Sequence, residues 1–214
     1  MVITYYGGEF FKLQVGDTII GYNPPAKSSS FKSGKFGADI ALVSMSHPDF
    51  DGVDSLSYGE KKPFVISGPG EYEKSGVSIR GFGVETTYGG EKKMNTIYSV
   101  SFENISLCLL GPISSHTQLT SDIREKIGQV EILFIPIGGG DVLSPADAHG
   151  KVAVLLEPNI IIPMHYGDGQ KKELQAFMKE AANSSEELDK LTIKKKDLAD
   201  KEGHIVALVP TTSA

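Results

Sequence analysis

Short apolar runs fill the first half of the chain, and each ends in glycine, proline or small polar residues. Val2–Tyr6 is rich in β-branched and aromatic residues. Phe10–Val15 and Thr18–Tyr22 flank Gly16-Asp17, a pair suited to a two-residue hairpin turn. Asp39–Ser44 is a solid apolar run that predicts a buried strand. Phe64–Ser67 and Val77–Phe82 predict two more, and Thr96–Leu110 predicts a hairpin turning at Glu103-Asn104. Helical signals begin only later. Ser121 reads as the cap of a short helix ending at Gly128, and Ser144-Pro145 as a cap and first helical residue of a run towards Glu157. Ile132–Ile137, Ile160–Pro163 and His204–Val209 predict buried strands. Leu174, Phe177, Met178 and Ala181 fall on one helical face. Strands first, then strands alternating with helices, predict a layered α/β sandwich.

Composition narrows the functional classes. The 214 residues carry 21 basic and 27 acidic side chains, a net charge of −6. Phosphate neutralisation needs a surplus of Lys and Arg, so no nucleic acid and no anionic membrane surface is expected as a partner. No apolar run reaches the about 18 residues that a membrane-spanning helix needs. The opening MVITYYGG lacks the basic-then-apolar order of a secretory signal. The single cysteine, Cys108, cannot form an internal disulfide and lies in an apolar run, so it reads as an inert core thiol in a cytoplasmic protein. Only 26–37 looks like a long polar loop and nothing resembles an interdomain linker, so 1–214 reads as one domain.

Chemistry concentrates where predicted strands end. Ser44-Met45-Ser46-His47-Pro48-Asp49-Phe50-Asp51-Gly52 follows the run at Asp39–Ser44 and sets His47 and Asp49 two residues apart on an irregular turn. His-Pro-Asp is also a good turn in its own right. Pro163-Met164-His165-Tyr166-Gly167-Asp168 puts a second histidine, His165, at the end of another apolar strand. Gly138-Gly139-Gly140-Asp141 follows a third, but it has neither a Walker A nor a dinucleotide spacing. Glu71, Asp51 and Asp141 are further acids near these loops. There is no Gly-x-Ser-x-Gly nucleophile elbow.

Taken together, Thr18-Ile19-Ile20-Gly21-Tyr22-Asn23-Pro24, Ser67-Gly68-Pro69-Gly70-Glu71-Tyr72-Glu73, Asn95-Thr96-Ile97-Tyr98, Ile135-Pro136-Ile137-Gly138-Gly139 and Ile161-Ile162-Pro163-Met164-His165-Tyr166-Gly167 resemble the metallo-β-lactamase fold. The branch they resemble is that of small bacterial metal-dependent hydrolases related to ascorbate-6-phosphate lactonase, over about residues 1 to 210. The resemblance implies an αββα sandwich with its site at one edge of the two sheets.

The resemblance also implies a ligand register, and this chain departs from it. The family's Thr/Ser-His-x-His-x-Asp-His loop falls on Ser44 to Phe50, so its first histidine is Met45 and its last is Phe50. The family's later His-x-Gly-Asp falls on Leu109 to Pro112, which replaces another histidine and the bridging aspartate. His47, Asp49 and His165 are the ligand positions that remain. Zinc needs imidazole, thiolate or carboxylate donors at about 2.0–2.3 Å, and Phe, Leu and Pro side chains offer none. Water activation between two ions needs both held about 3.5–4 Å apart, which the remaining set cannot arrange by the family's recipe.

The reading is therefore a metallo-β-lactamase-like chain without the two-metal centre, acting as a binding or scaffolding protein, with Met45, Phe50 and Leu109 packed together at the old site. The alternative is a hydrolase of an ester, lactone or phosphodiester using one ion on His47, Asp49 and His165, with Asp49 catalytic and His116 as a candidate fourth ligand. No cofactor is expected under the first reading. Zinc or manganese at a single weak site belongs to the second. A small-molecule ligand and self-association are the partners left open.

Overall fold

The computed structural model describes residues 1–31, 34–166, 171–180 and 185–211. Gly16 takes a positive φ of 55° and closes the first hairpin, pairing Val15 with Thr18 as the sequence predicts. The first sheet contains β1 (Val2–Gly7), β2 (Phe10–Val15), β3 (Thr18–Tyr22), β4 (Ile40–Leu42) and β5 (Phe64–Ile66). β1 to β3 run antiparallel, and β4 and β5 lie parallel to β3.

β6 (Gly70–Lys74), β7 (Val77–Tyr88), β8 (Glu91–Phe102) and β9 (Ile105–Leu109) follow as antiparallel neighbours. Glu103 and Asn104 both adopt positive φ and turn β8 into β9, at the predicted place. Then come α1 (Ser121–Ile127), β10 (Ile132–Pro136), α2 (Pro145–Asp147), a π-helical turn (Ala148–Ala153), α3 (Val154–Leu156), β11 (Ile160–Met164) and α4 (Lys171–Glu180). β12 (Ser185–Leu188), β13 (Leu191–Thr192) and β14 (His204–Leu208) complete the chain.

The sheets order as β13-β1-β2-β3-β4-β5 and β12-β14-β11-β10-β9-β8-β7-β6. Their inner faces share one core. Tyr5, Leu13, Ile20 and Tyr22 from the first sheet meet Ile79, Tyr98, Leu107 and Phe134 from the second. Phe11 meets Phe134 edge to face, ring centroids 5.0 Å apart, across the layer boundary. Each such side chain contributes about 1.5–3 kcal/mol when removed from water. The helices lie outside, with Phe177 of α4 buried and Leu174 and Met178 packed on the core. This is the αββα sandwich the sequence predicts.

Three expectations change in detail. Thr120, not Ser121, caps α1: its side chain accepts the Ile123 N–H and Ser121 is the first helical residue. β7 runs six residues past Phe82. β12 and β13 had no signal, because Ser-Glu-Glu-Leu has no apolar alternation and lies at a sheet edge. Ala181 lies outside the described residues. Among the described residues no helix is long and apolar enough to cross a membrane.

Candidate functional site

β3, β4, β9, β10 and β11 end at one rim of the sandwich, and their C-terminal loops meet there. A bulge between Tyr5 and Gly7 shifts the register of β1 against β2. Gly7 and Gly8, both at positive φ, carry the chain around and turn Glu9 inward. Gly8 can take no side chain, because a Cβ there would lie 2.9 Å from the Phe31 ring.

Glu9 is the centre of the lower layer. Its carboxylate is fully buried, with Oε1 2.9 Å from His165 Nδ1 and Oε2 accepting the Asn23 amide at 2.8 Å. Asn23 Oδ1 accepts the Ser44 N–H at 2.8 Å, and its amide also donates to Ser44 Oγ at 2.8 Å. Asn23 and His165 sit at φ 47° and 60°, in the left-handed region where non-glycine residues are uncommon and cluster at functional sites. Gly111 sits at φ 64°, and a Cβ there would also overlap Asn95 Oδ1, so the position needs glycine on both counts. Asn95 Oδ1 is buried without a hydrogen-bond partner among the described residues.

The upper layer forms around Asp49. Ser29 donates to its Oδ1 at 2.5 Å and Tyr88 to its Oδ2 at 2.8 Å. The Asp49 N–H donates to His47 Nδ1 at 3.2 Å, and the same nitrogen lies 3.4 Å from Oδ2. Burial first, and then the hydrogen bond and charge of Asp49, hold the Tyr88 hydroxyl protonated far above its ordinary range. The Tyr88 ring meets His47, Phe50 and His165 edge to face, at centroid distances of 5.0, 5.1 and 5.8 Å. One phenol thus touches all three residues at which the family's ligands remain.

His47 and Asp49 are therefore brought together, and His165 stands on another side of the Tyr88 ring. Both oxygens of Asp49 accept hydroxyl protons, and His165 turns Nδ1 to Glu9. Among the described residues no group of three or more His, Cys, Asp or Glu side chains is placed to hold a metal ion. This donor set does not fit the zinc centre of the resemblance.

Met45 and Phe50 are buried with Tyr88 and Val142 in one small cluster. Leu109, expected in the same cluster, is buried in the main core instead, because the register of β9 on β10 directs it there. Asp141 accepts the Gly89 N–H at 3.1 Å and so braces the β7–β8 turn. Glu71 stands exposed on the edge strand β6, paired in register with Arg80. His116 lies in a short 3-10 turn that Ser115 caps. Cys108 is buried, and burial pushes its thiol up to about 12, as expected of a core thiol.

Sequence reasoning missed Glu9, Ser29 and Tyr88. Glu9 had a usable signal, a lone carboxylate between Gly-Gly and Phe-Phe in a run that reads as buried. Ser29 and Tyr88 had none, since both act through contacts with a distant loop.

Comparison with known proteins agrees with this architecture. A UPF0173 metal-dependent hydrolase of Lysinibacillus sphaericus is 26% identical over 196 residues, covering 78% of this chain and 85% of that protein. A solved structure from Thermotoga maritima, described as a Zn-dependent hydrolase of the metallo-beta-lactamase superfamily, is 29% identical. It superposes with a TM-score of 0.75 over 97% of each chain. A metal-dependent hydrolase structure from Parabacteroides distasonis, 18% identical, covers 84% of this chain and 88% of its own at a TM-score of 0.62, which speaks for the fold alone. The family model described as the beta-lactamase superfamily domain matches residues 2–165, so the chain belongs to the β-lactamase superfamily.

Proposed function

We propose that this chain is a metal-free binding protein built on the hydrolase fold. The observation that supports this most is the state of Asp49. Its two oxygens are taken by Ser29 and Tyr88, while the rings of Phe50 and Tyr88 lie against both His47 and His165. The apolar residues at the ligand positions are buried, where they stabilise by packing, and apart from the soft thioether of Met45 they supply no donor. What remains at the rim is a buried polar base, Glu9-His165-Asn23, under an aromatic roof. That combination suits recognition of a small molecule better than activation of water.

One observation favours a second reading, a hydrolase with a single ion on His47, Asp49 and His165: the relatives above are named metal-dependent or Zn-dependent hydrolases. Metal analysis of protein purified without an affinity metal, followed by zinc and manganese titration, separates the two. The binding reading expects no stoichiometric metal and no saturable uptake. One ion per chain, lost in His47→Ala and in His165→Ala, would replace it with the mononuclear hydrolase.

A further inference from the structure

Tyr88 reaches the site on an unusual support. β6 pairs with β7 only from Val77 to Gly81, and β9 pairs with β8 only from Tyr98 to Phe102. From Phe82 to Ile97 no third strand flanks the pair, although at its base the Thr96 N–H donates to the Ser44 carbonyl at 2.7 Å and Val84, Asn95, Thr96 and Ile97 are buried. A two-stranded ribbon is marginally stable by itself. Near its tip, among residues 85–94, only Thr86 and Tyr88 are buried. The tip is held by the packing of Tyr88 and by a handful of bonds: Thr86 to the Pro112 carbonyl and to the Ser114 hydroxyl, each at 3.2 Å, Gln118 to the Glu85 carbonyl at 2.6 Å, Gly89 to Asp141, and Tyr88 to Asp49. A segment whose burial rests on two side chains opens locally once those two are released.

The place Tyr88 fills has a defined chemistry. Its walls are Met45, Phe50 and Val142, two imidazoles stand near-perpendicular to the ring at its sides, and its far end is a carboxylate oxygen 2.8 Å from the phenol oxygen. That is an aryl slot with a single anionic acceptor at its end.

We propose that the ribbon tip is a lid, that Tyr88 is the built-in occupant of the site, and that the opened site takes a small phenol in its place. This inference rests on the reading of the site as metal-free and names its ligand class. A phenol reproduces each of Tyr88's contacts: the ring fills the slot near-perpendicular to the two imidazoles, and the hydroxyl donates to Asp49. An aryl compound without the hydroxyl leaves that half-buried carboxylate oxygen short of a donor. A hydrogen bond to a charged group is strong enough to make the difference tenfold or more in affinity.

The probes are p-cresol and toluene, titrated by calorimetry into the wild-type chain and into Tyr88→Ala, which removes the occupant and leaves a cavity. The expected result is that Tyr88→Ala binds p-cresol at least about tenfold more tightly than toluene. The wild type binds p-cresol more weakly than the variant, in competition with its own side chain. Saturating p-cresol should also speed amide hydrogen exchange at residues 85–90 of the wild type, a measurement that holds even if the variant does not fold. A folded Tyr88→Ala that takes up neither probe overturns the proposal. So does a variant that prefers p-cresol beside a wild type that never binds it and shows no change in exchange, because the tip would then be a fixed plug. Failure of the metal-free reading is a separate outcome: it would appear as zinc in the purified wild type, whatever p-cresol does.

Discussion

Replacing Glu9 by alanine perturbs the group on which the lower layer of the site is built. The carboxylate is fully buried and makes two short hydrogen bonds, 2.9 Å to His165 Nδ1 and 2.8 Å to the Asn23 amide. In Glu9→Ala, the largely buried His165 Nδ1 loses its partner, at about 1–3 kcal/mol. Asn23 keeps Ser44 as an acceptor and loses less, and the cavity left by the side chain adds to the cost. The expected loss is about 3–5 kcal/mol, a large part of the 5–15 kcal/mol that holds a typical domain together. Glu9→Gln preserves the shape, with one amide end for each partner. It gives up only charge assistance and should cost about 1–2 kcal/mol. Glu9→Leu combined with His165→Leu removes both partners, so its cost should fall well short of the sum of the single changes. Urea unfolding followed by circular dichroism reads these differences as midpoint shifts at constant slope. A Glu9→Ala midpoint within about 0.5 kcal/mol of wild type would refute the argument that this carboxylate organises the site.

Three further outcomes follow from particular residues. Gly111→Ala should destabilise by about 2 kcal/mol or more in the same assay, because a Cβ would meet Asn95 Oδ1 at a positive φ; a neutral change would mean the loop is free to move. Thr120→Ala should cost about 1 kcal/mol by loss of the α1 cap while Ser121→Ala stays within about 0.5, and the reverse order would restore Ser121 as the cap. The buried Cys108 thiol ionises near 12 when folded, and the unfolded chain ionises first, so folding stability should fall from about pH 9 upward. The Cys108 share of that fall is about 1.4 kcal/mol per pH unit, and Cys108→Ala should show a shallower alkaline limb by that share. Equal slopes in denaturant melts at pH 9 to 11 would contradict it.

Local signals carried most of the fold. Gly16-Asp17 and Glu103-Asn104 are turn pairs whose chemistry is complete within a few residues, and both turns formed where the sequence put them. His47, Asp49 and His165 were legible because apolar strands deliver loops to one rim. Their partners were not. Glu9 meets His165 across 156 positions and Tyr88 meets Asp49 across 39, and nothing local to either residue encodes such a contact. Thr120 and Ser121 are adjacent and both able to cap, so only backbone geometry distinguishes them. Leu109 stood in the ligand register, yet the pairing of β9 with β10 drew it into the main core, and Tyr88 took the place beside Met45 and Phe50. β12 is polar because it is an edge strand, so its periodicity carried no information.

In this chain the Tyr88 phenol stands among the residues from which the family's chemistry needs an ion. Crystals grown with zinc in the drop, with diffraction recorded at the zinc absorption edge, test it directly. The expected map has no anomalous peak between His47, Asp49 and His165, and the Tyr88 oxygen about 2.8 Å from Asp49. A zinc ion bound by those three residues, with Tyr88 displaced, would contradict it.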